Sequence, residues 1–289
     1  MLSSPTIPLL TNYTVPTLHI LPAGYDCYVQ APYWAVGERL QGGAGRVLLR
    51  RRVYHDGEIK DEHRAVLEYR DGRLVGEPPK PFQWRAASVE GSDEPGFLET
   101  GFRTEDGAAR IADNILPGIY ASYSAPGRKS FFTDPPLKFA SPPIIMQIAA
   151  YGRYVEGQAI VRLDRDRDFG ETIAFLNPYH KAILCQIVSH DGRTLRRLRV
   201  PPLSGRYARL IELLGADERS WVGQVQLTAN NRLATFDLKH SLSDPRAIHH
   251  CEHLDPFRGE PTHLPAFQWL RIEVGRLLAS HVRRSVSRS

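Results

Sequence analysis

The densest reactive chemistry in this 289-residue sequence is Ile248-His249-His250-Cys251-Glu252-His253. Imidazole and thiolate are ligands that suit zinc, with iron and copper as weaker alternatives. On a strand, the two-residue period would place His249, Cys251 and His253 on one face. His240 and His263 stand close enough in sequence to complete such a site. Three ligands and a water would permit hydrolytic chemistry. The spacing matches no established metal signature, so a hydrogen-bonded structural cluster is the competing reading. Zinc or another transition metal is therefore the one candidate cofactor.

Other residues with chemical potential fail closer tests. Asp164, Asp166 and Asp168 alternate with Arg165 and Arg167, as at the start of a calcium loop. Phe169 then occupies the position that needs Gly, and Phe175 the one that needs Glu. Gly42-Gly43-Ala44-Gly45-Arg46 has no Lys-Ser or Lys-Thr after it and leads into a β arm, which excludes a P-loop. The sequence contains no Gly-x-Ser-x-Gly, His-Glu-x-x-His or Cys-x-x-Cys motif. Hence no catalytic group is nominated.

Aromatic residues group at Tyr25, Tyr28, Tyr33 and Trp34, and again at Tyr120, Tyr123, Phe131, Phe132, Tyr151 and Tyr154. Tyr33, Trp34, Tyr151 and Tyr154 are the candidates for a surface that stacks sugars or bases. Aromatics are equally ordinary in β cores, and core packing is the favoured reading. Near the C-terminus, Phe267, Leu270, Val274, Leu278 and Val282 recur at spacings of three and four, one face of a helix. Arg271, Arg283 and Arg284 add charge to it. Such a helix could dock in a partner's groove, lie on an anionic membrane surface, or pack on its own chain.

The elements expected to position these residues are strands. Asp56-Gly57, Asp71-Gly72 and Asp191-Gly192 each separate extended arms, and Asp-Gly suits tight primed turns. Turn signals recur every 8–12 residues from about residue 119 onward, the spacing of sandwiches and barrels. The expected fold is all-β: two tandem antiparallel β-sandwich domains, Ig-like or jelly-roll-like, over residues 1–106 and 107–260. A basic amphipathic helix and tail follow over 261–289. No helix is expected before it beyond one short turn within 212–219. Val53-Tyr54-His55-Asp56-Gly57 and Val188-Ser189-His190-Asp191-Gly192 look alike, through either an internal repeat or convergent turn chemistry.

Bulk properties narrow the classes further. The hydrophobic fraction of 42% is that of a globular chain. Cys27, Cys185 and Cys251 are few, distant and odd in number, as in a reducing compartment. No Lys or Arg precedes Arg39, and Pro5, Pro8, Pro16 and Pro22 interrupt the early apolar runs, which argues against a secretory leader. No run of 18 apolar residues exists. A cytoplasmic protein without a transmembrane segment is expected. The net charge is +5, and residues 265–289 hold five Arg against one Glu, leaving +1 (5 − 4) for the rest. A nearly neutral body disfavours nucleic acid. The leading functional expectation is a non-catalytic binding or assembly protein, an adaptor or accessory that joins a protein partner or itself. Phe267, Leu270, Arg271, Val274, Leu278, Arg283 and Arg284 would help it dock. A metal-dependent protein using the histidine cluster is the alternative, and a carbohydrate-binding sandwich is third.

Overall fold

The computed structural model describes residues 17–30, 33–38, 40, 42–85, 93–105, 120–133, 154–230 and 233–254. These form an all-β, antiparallel structure with two short helices. The terminal helix expected over 261–289 lies outside the described residues.

The first sheet runs β1 (Thr17–Leu21), β7 (Gly96–Thr104), β3 (Gly45–His55), β4 (Glu58–Arg70) and β5 (Arg73–Leu74). A second, smaller sheet runs β6 (Phe82–Trp84), β2 (Asp26–Val29), β8 (Ala121–Ser124) and β9 (Phe131–Thr133). The two pack together: the Tyr123 hydroxyl of β8 donates to the Ile20 carbonyl of β1 at 2.8 Å. Two Asp-Gly turns behave as expected. Asp56 and Gly57 have φ of 47° and 83°, and Asp71 and Gly72 have 49° and 73°, the double positive φ of a primed hairpin.

The third Asp-Gly turn corrects the expectation. β12 (Ile183–Ser189) and β13 (Thr194–Val200) form the hairpin, but only Gly192 is left-handed there, at φ 82°. Gly192 N donates to Ser189 O and Ser189 N to Arg193 O, both at 2.9 Å. This is a type I turn closed by a glycine bulge. The Asp191 carboxylate accepts from Ser189 Oγ and Arg193 N, which favours the bulged form. The two similar pentapeptides thus make different turns; His55 is buried and His190 exposed.

The remaining strands form one eight-stranded ladder: β10 (Tyr154–Asp164), β11 (Phe169–Asn177), β12, β13, β14 (Ser204–Arg209), β15 (Ser220–Ala229), β16 (Ala234–Ser241) and β17 (Ile248–His253). β10 meets β11 only at Asp164↔Phe169, so the ladder folds over at that hairpin. One layer is β13-β12-β15-β10, and the other is β14-β11-β16-β17. The layers face each other. A void of about 10 Å3 between them is lined by Val161, Ile187 and Val225 from one and Glu171, Ile173 and Ala208 from the other.

The second of these layers is covered on both sides. β11 is buried from Gly170 to Asn177, and most of β16 is buried as well. Glu171, Ile173 and Asp237 point into the layer pair; Thr172, Leu238, His240, Ile248 and Cys251 point toward the N-terminal half. There Ile248 N donates to the Tyr25 hydroxyl at 3.0 Å, and Tyr207 N donates to Glu94 Oε2 at 2.7 Å. Gly205 is required at this contact, since a Cβ there would overlap the Pro95 carbonyl and lie 2.6 Å from Pro95 Cγ. The buried apolar residues of both halves belong to one contiguous core.

Two short helices are present where one short turn within 212–219 was expected. α1 (Tyr33–Glu38) buries Tyr33 and Val36, spaced three apart, and α2 (Leu210–Leu213) buries Leu210. Both are too short to show a period, and packing rather than propensity holds them. α1 comes so close to the β4–β5 turn that a Cβ on Gly37 would overlap the Gly72 carbonyl.

Candidate functional site

The histidine strand does not present the expected ligand face. Along β17, Lys239 pairs His250 while His240 pairs Ile248, so a bulge intervenes at His249. The bulge breaks the two-residue alternation. Ile248 and Cys251 are buried, His249 and His250 are exposed, and His253 is half-buried. His240 is fully engaged in the neighbouring strand. Its Nδ1 lies 2.8 Å from Ser241 O and its Nε2 2.8 Å from Thr172 Oγ1. A carbonyl only accepts, so Nδ1 carries the proton and Nε2 accepts from Thr172. Burial lowers the His240 pKa and favours this neutral form. Among the described residues no group of three or more His, Cys, Asp or Glu is placed to hold a metal. His263 lies outside the described residues.

The aspartate run is used by the protein itself. Asp164 pairs with Arg162 and Arg167, and Asp166 with Arg219. Asp168 accepts from Ser241 Oγ, Ser243 Oγ and Ser243 N. These donors hold the Asp168 carboxyl below its ordinary range.

Tyr33, a candidate for the stacking surface, is instead a core residue at 5% exposure. Its hydroxyl accepts from Arg51 Nη2 at 2.9 Å, and its carbonyl accepts from the Tyr69 hydroxyl at 2.8 Å. The Arg51 guanidinium is itself buried and lies 5.8 Å from the Phe82 ring centre. Trp34 lies on α1 and Tyr154 opens β10, while Tyr151 is outside the described residues. The outward aromatics are Tyr28, Tyr120 and Phe132. Phe132 faces Ser122, and Ser122 faces Tyr28, whose hydroxyl accepts from Gln83 Nε2 at 3.0 Å. Tyr28 and Phe132 each take the exposed place between two buried neighbours on their strands. Phe267, Leu270, Arg271, Val274, Leu278, Arg283 and Arg284 lie outside the described residues.

Three buried carboxyl groups have raised pKa values, yet none opens to a cleft. Burial and the neighbouring Asp237 push Glu171 up to about 8, while burial pushes Asp237 up to about 6 against the pull of Lys239. The void beside Glu171 is at the lower limit for one water, too small for a substrate. Glu99 is also buried and is raised to about 7, with Arg50 at 3.2 Å and the Tyr54 hydroxyl at 3.0 Å as partners. Both clusters are internal to the sheets.

An interaction surface is more evident on β10. This strand pairs with β15 from Tyr154 to Asp164. Among the described residues no strand pairs its other edge over residues 155–163. Val161 and Leu163 point inward, and Gln158, Ile160 and Arg162 point outward. Ile160 is 72% exposed, and Val222, diagonal to it on β15, is 64% exposed. The Arg162 guanidinium beside them is tied to Asp164 and lies 5.5 Å from the Phe169 ring centre. An unpaired edge carrying adjacent exposed β-branched residues is a ready template for another strand.

No described protein family matches this chain, and no curated protein matches it. Among solved structures it is similar to a β-glucuronidase from glycoside hydrolase family 2, at 10% identity over 84% of this chain and 23% of that one, with a TM-score of 0.14. It is also similar to Bacteroides uniformis β-glucuronidase 2 covalently bound to cyclophellitol-6-carboxylate aziridine, at 11% identity over 88% of this chain and 27% of that one, again with a TM-score of 0.14. The chain spans about a quarter of the length of these two proteins, and at such a TM-score the likeness carries no argument about fold or activity.

Proposed function

We propose that this chain is a non-catalytic binding or assembly protein that joins a protein partner or a second copy of itself. The observation that carries this reading is the unpaired β10 edge with Ile160 and Val222 outward beside it. A second copy fits best, because an edge strand can pair antiparallel with its own image about a two-fold axis. Burying both side chains on each of two copies supplies about 4–8 kcal/mol, most of it offset by the cost of association, whereas micromolar affinity needs about 8 net. The interface therefore includes main-chain pairing, and the 261–289 segment is proposed to add to it. The proposed architecture is two tandem sandwiches, and the two-layer arrangement of β10–β17 supports the second. A cytoplasmic location completes the reading, supported by three buried, free thiols.

Sedimentation of the full chain over about 1–100 µM tests the reading, a range that brackets ordinary weak association. Concentration-dependent association that Ile160→Lys abolishes is expected. A monomer at every concentration, or a dimer unchanged by Ile160→Lys, would refute self-assembly through β10. Carbohydrate binding remains a second reading, supported by the outward row of Tyr28, Gln83 and Phe132; absence of binding on a glycan array would remove it.

A further inference from the structure

A cleft separates the two halves on the side away from β10, and its composition is independent of the assembly reading. Its floor is the outer face of the β14-β11-β16 layer, with Thr172, Tyr207, Arg209 and His240. Its walls are the β1–β2 turn, the β8–β9 turn with Arg128, Asp93, and the β16–β17 loop with Asp244 and Arg246. The volume is about 450 Å3, within the range of small-molecule sites.

Three arginines line it. Arg128 Nη1 and Arg246 Cδ both approach Gly24, lying 3.4 and 4.0 Å from where its Cβ would stand. Arg128 Nη2 binds Asp244 at 3.1 Å, and Arg246 Nη2 binds Asp93 at 2.8 Å. Arg209 Nη1 binds Glu212 at 3.2 Å, outside the lining. The lining thus sets three cations against two carboxylates, with His240 neutral between its two partners. Each guanidinium has five N–H donors, and these contacts use one nitrogen of each. The planar fork of Arg matches carboxylate or phosphate oxygens. Beside the cations lie Ala23, Leu238, Pro245 and Ile248, a surface suited to a carbon skeleton.

We propose that this cleft binds a small organic oxyanion, a carboxylate or phosphate on a compact apolar body. Arg209, Arg128 and Arg246 hold the charge, and the Thr172–His240 pair forms the polar floor. The Arg246–Asp93 pair is exposed and weak enough to rearrange around the ligand, while the half-buried Arg128–Asp244 pair keeps Arg128 in place.

Calorimetric titration of the full chain at low salt, with benzoate, phenyl phosphate and inorganic phosphate as probes, tests this. Saturable binding of benzoate or phenyl phosphate is expected with a dissociation constant of about 1 mM or tighter. Arg209→Gln should weaken it about tenfold or more, the loss of one charge-assisted contact, whereas Arg196→Gln on the exposed β13 should leave it unchanged. The His240 ring resonances should shift with the same saturation curve. If Arg209→Gln lowers the melting temperature, the exposed Arg246→Gln replaces it. No saturable binding by either organic probe overturns the proposal, as does affinity unaffected by Arg209→Gln and Arg246→Gln. Equal affinity for inorganic phosphate overturns the role given to the apolar wall.

Discussion

Asn177 offers the sharpest test of how this chain is held together. It ends β11 at the Asn177-Pro178-Tyr179 corner and is fully buried. Its Nδ2 donates to the carbonyls of Lys181 at 2.8 Å, Pro201 at 2.8 Å and Val200 at 3.2 Å. Its Oδ1 accepts from Tyr179 N at 3.0 Å. One side chain thus fastens the end of β11, the start of β12 and the end of β13. The two N–H groups of Nδ2 serve three carbonyls, so one of those bonds is shared; three full neutral hydrogen bonds at about 0.5–1.5 kcal/mol net sum to about 1.5–4.5. Lys181 is exposed and Pro201 half-buried, so water can replace part of what their carbonyls lose. Asn177→Ala is therefore expected to cost about 3 kcal/mol, lowering the melting temperature by roughly 5–10 °C. Asn177→Asp separates hydrogen bonding from shape. It keeps the acceptor for Tyr179 N but sets a carboxylate against three carbonyl oxygens, so at pH 7 it should be the less stable of the two. Urea unfolding of both variants at pH 7 and pH 4 gives the measurement. A loss below about 1 kcal/mol for Asn177→Ala, outside the range for several lost bonds, would refute the reasoning. So would Asn177→Asp matching Asn177→Ala at pH 7.

Three further outcomes are expected. Glu171 is raised to about 8 when folded, above its ordinary 4.5. The folded chain then holds a proton that the unfolded chain releases, so stability is full below about pH 4.5 and falls as pH rises to about 8. The shift, which already contains the pull of Lys239, corresponds to about 5 kcal/mol as an upper bound. Glu171→Gln should flatten the decline between pH 5 and 8 in thermal melts; a wild-type profile flat over that window would contradict the burial argument. Gly205→Ala should destabilise by about 1–3 kcal/mol through the Pro95 overlap, and a neutral substitution in urea unfolding would show that the two halves are not in contact there. Ile160→Lys should leave the melting temperature within about 2 °C, as for a surface change of under 0.5 kcal/mol, while removing self-association.

What was legible in the sequence follows from local covalent geometry. Side chains on a strand alternate, so Ile183-Leu184-Cys185-Gln186-Ile187-Val188-Ser189 reads directly as a strand with one buried face, and the structure has that alternation. Gly after Asp allows positive φ, so two of the three Asp-Gly hairpins were correctly typed. The third differed because a side-chain acceptor at Asp191 competed with the primed turn. Tyr33 follows the favoured core reading of the aromatics, whereas the histidine strand departs from its expected alternation. One bulge at His249 reverses which neighbours share a face, and a bulge leaves little trace in residue types.

The sequence by itself determined the all-β class, most strand positions and the near-neutral body. It could not reveal that β11 and β16 are covered on both sides, because Glu171, Thr172, Asp237 and His240 read as solvent-facing positions. Their burial depends on partners more than 60 residues away, such as Thr172 for His240. The cleft draws Ala23, Asp93, Arg128, Arg209, His240 and Arg246 together from six separate stretches. Only the tertiary structure decided that, because a strand dictates the direction of its side chains but not which distant layer will face them.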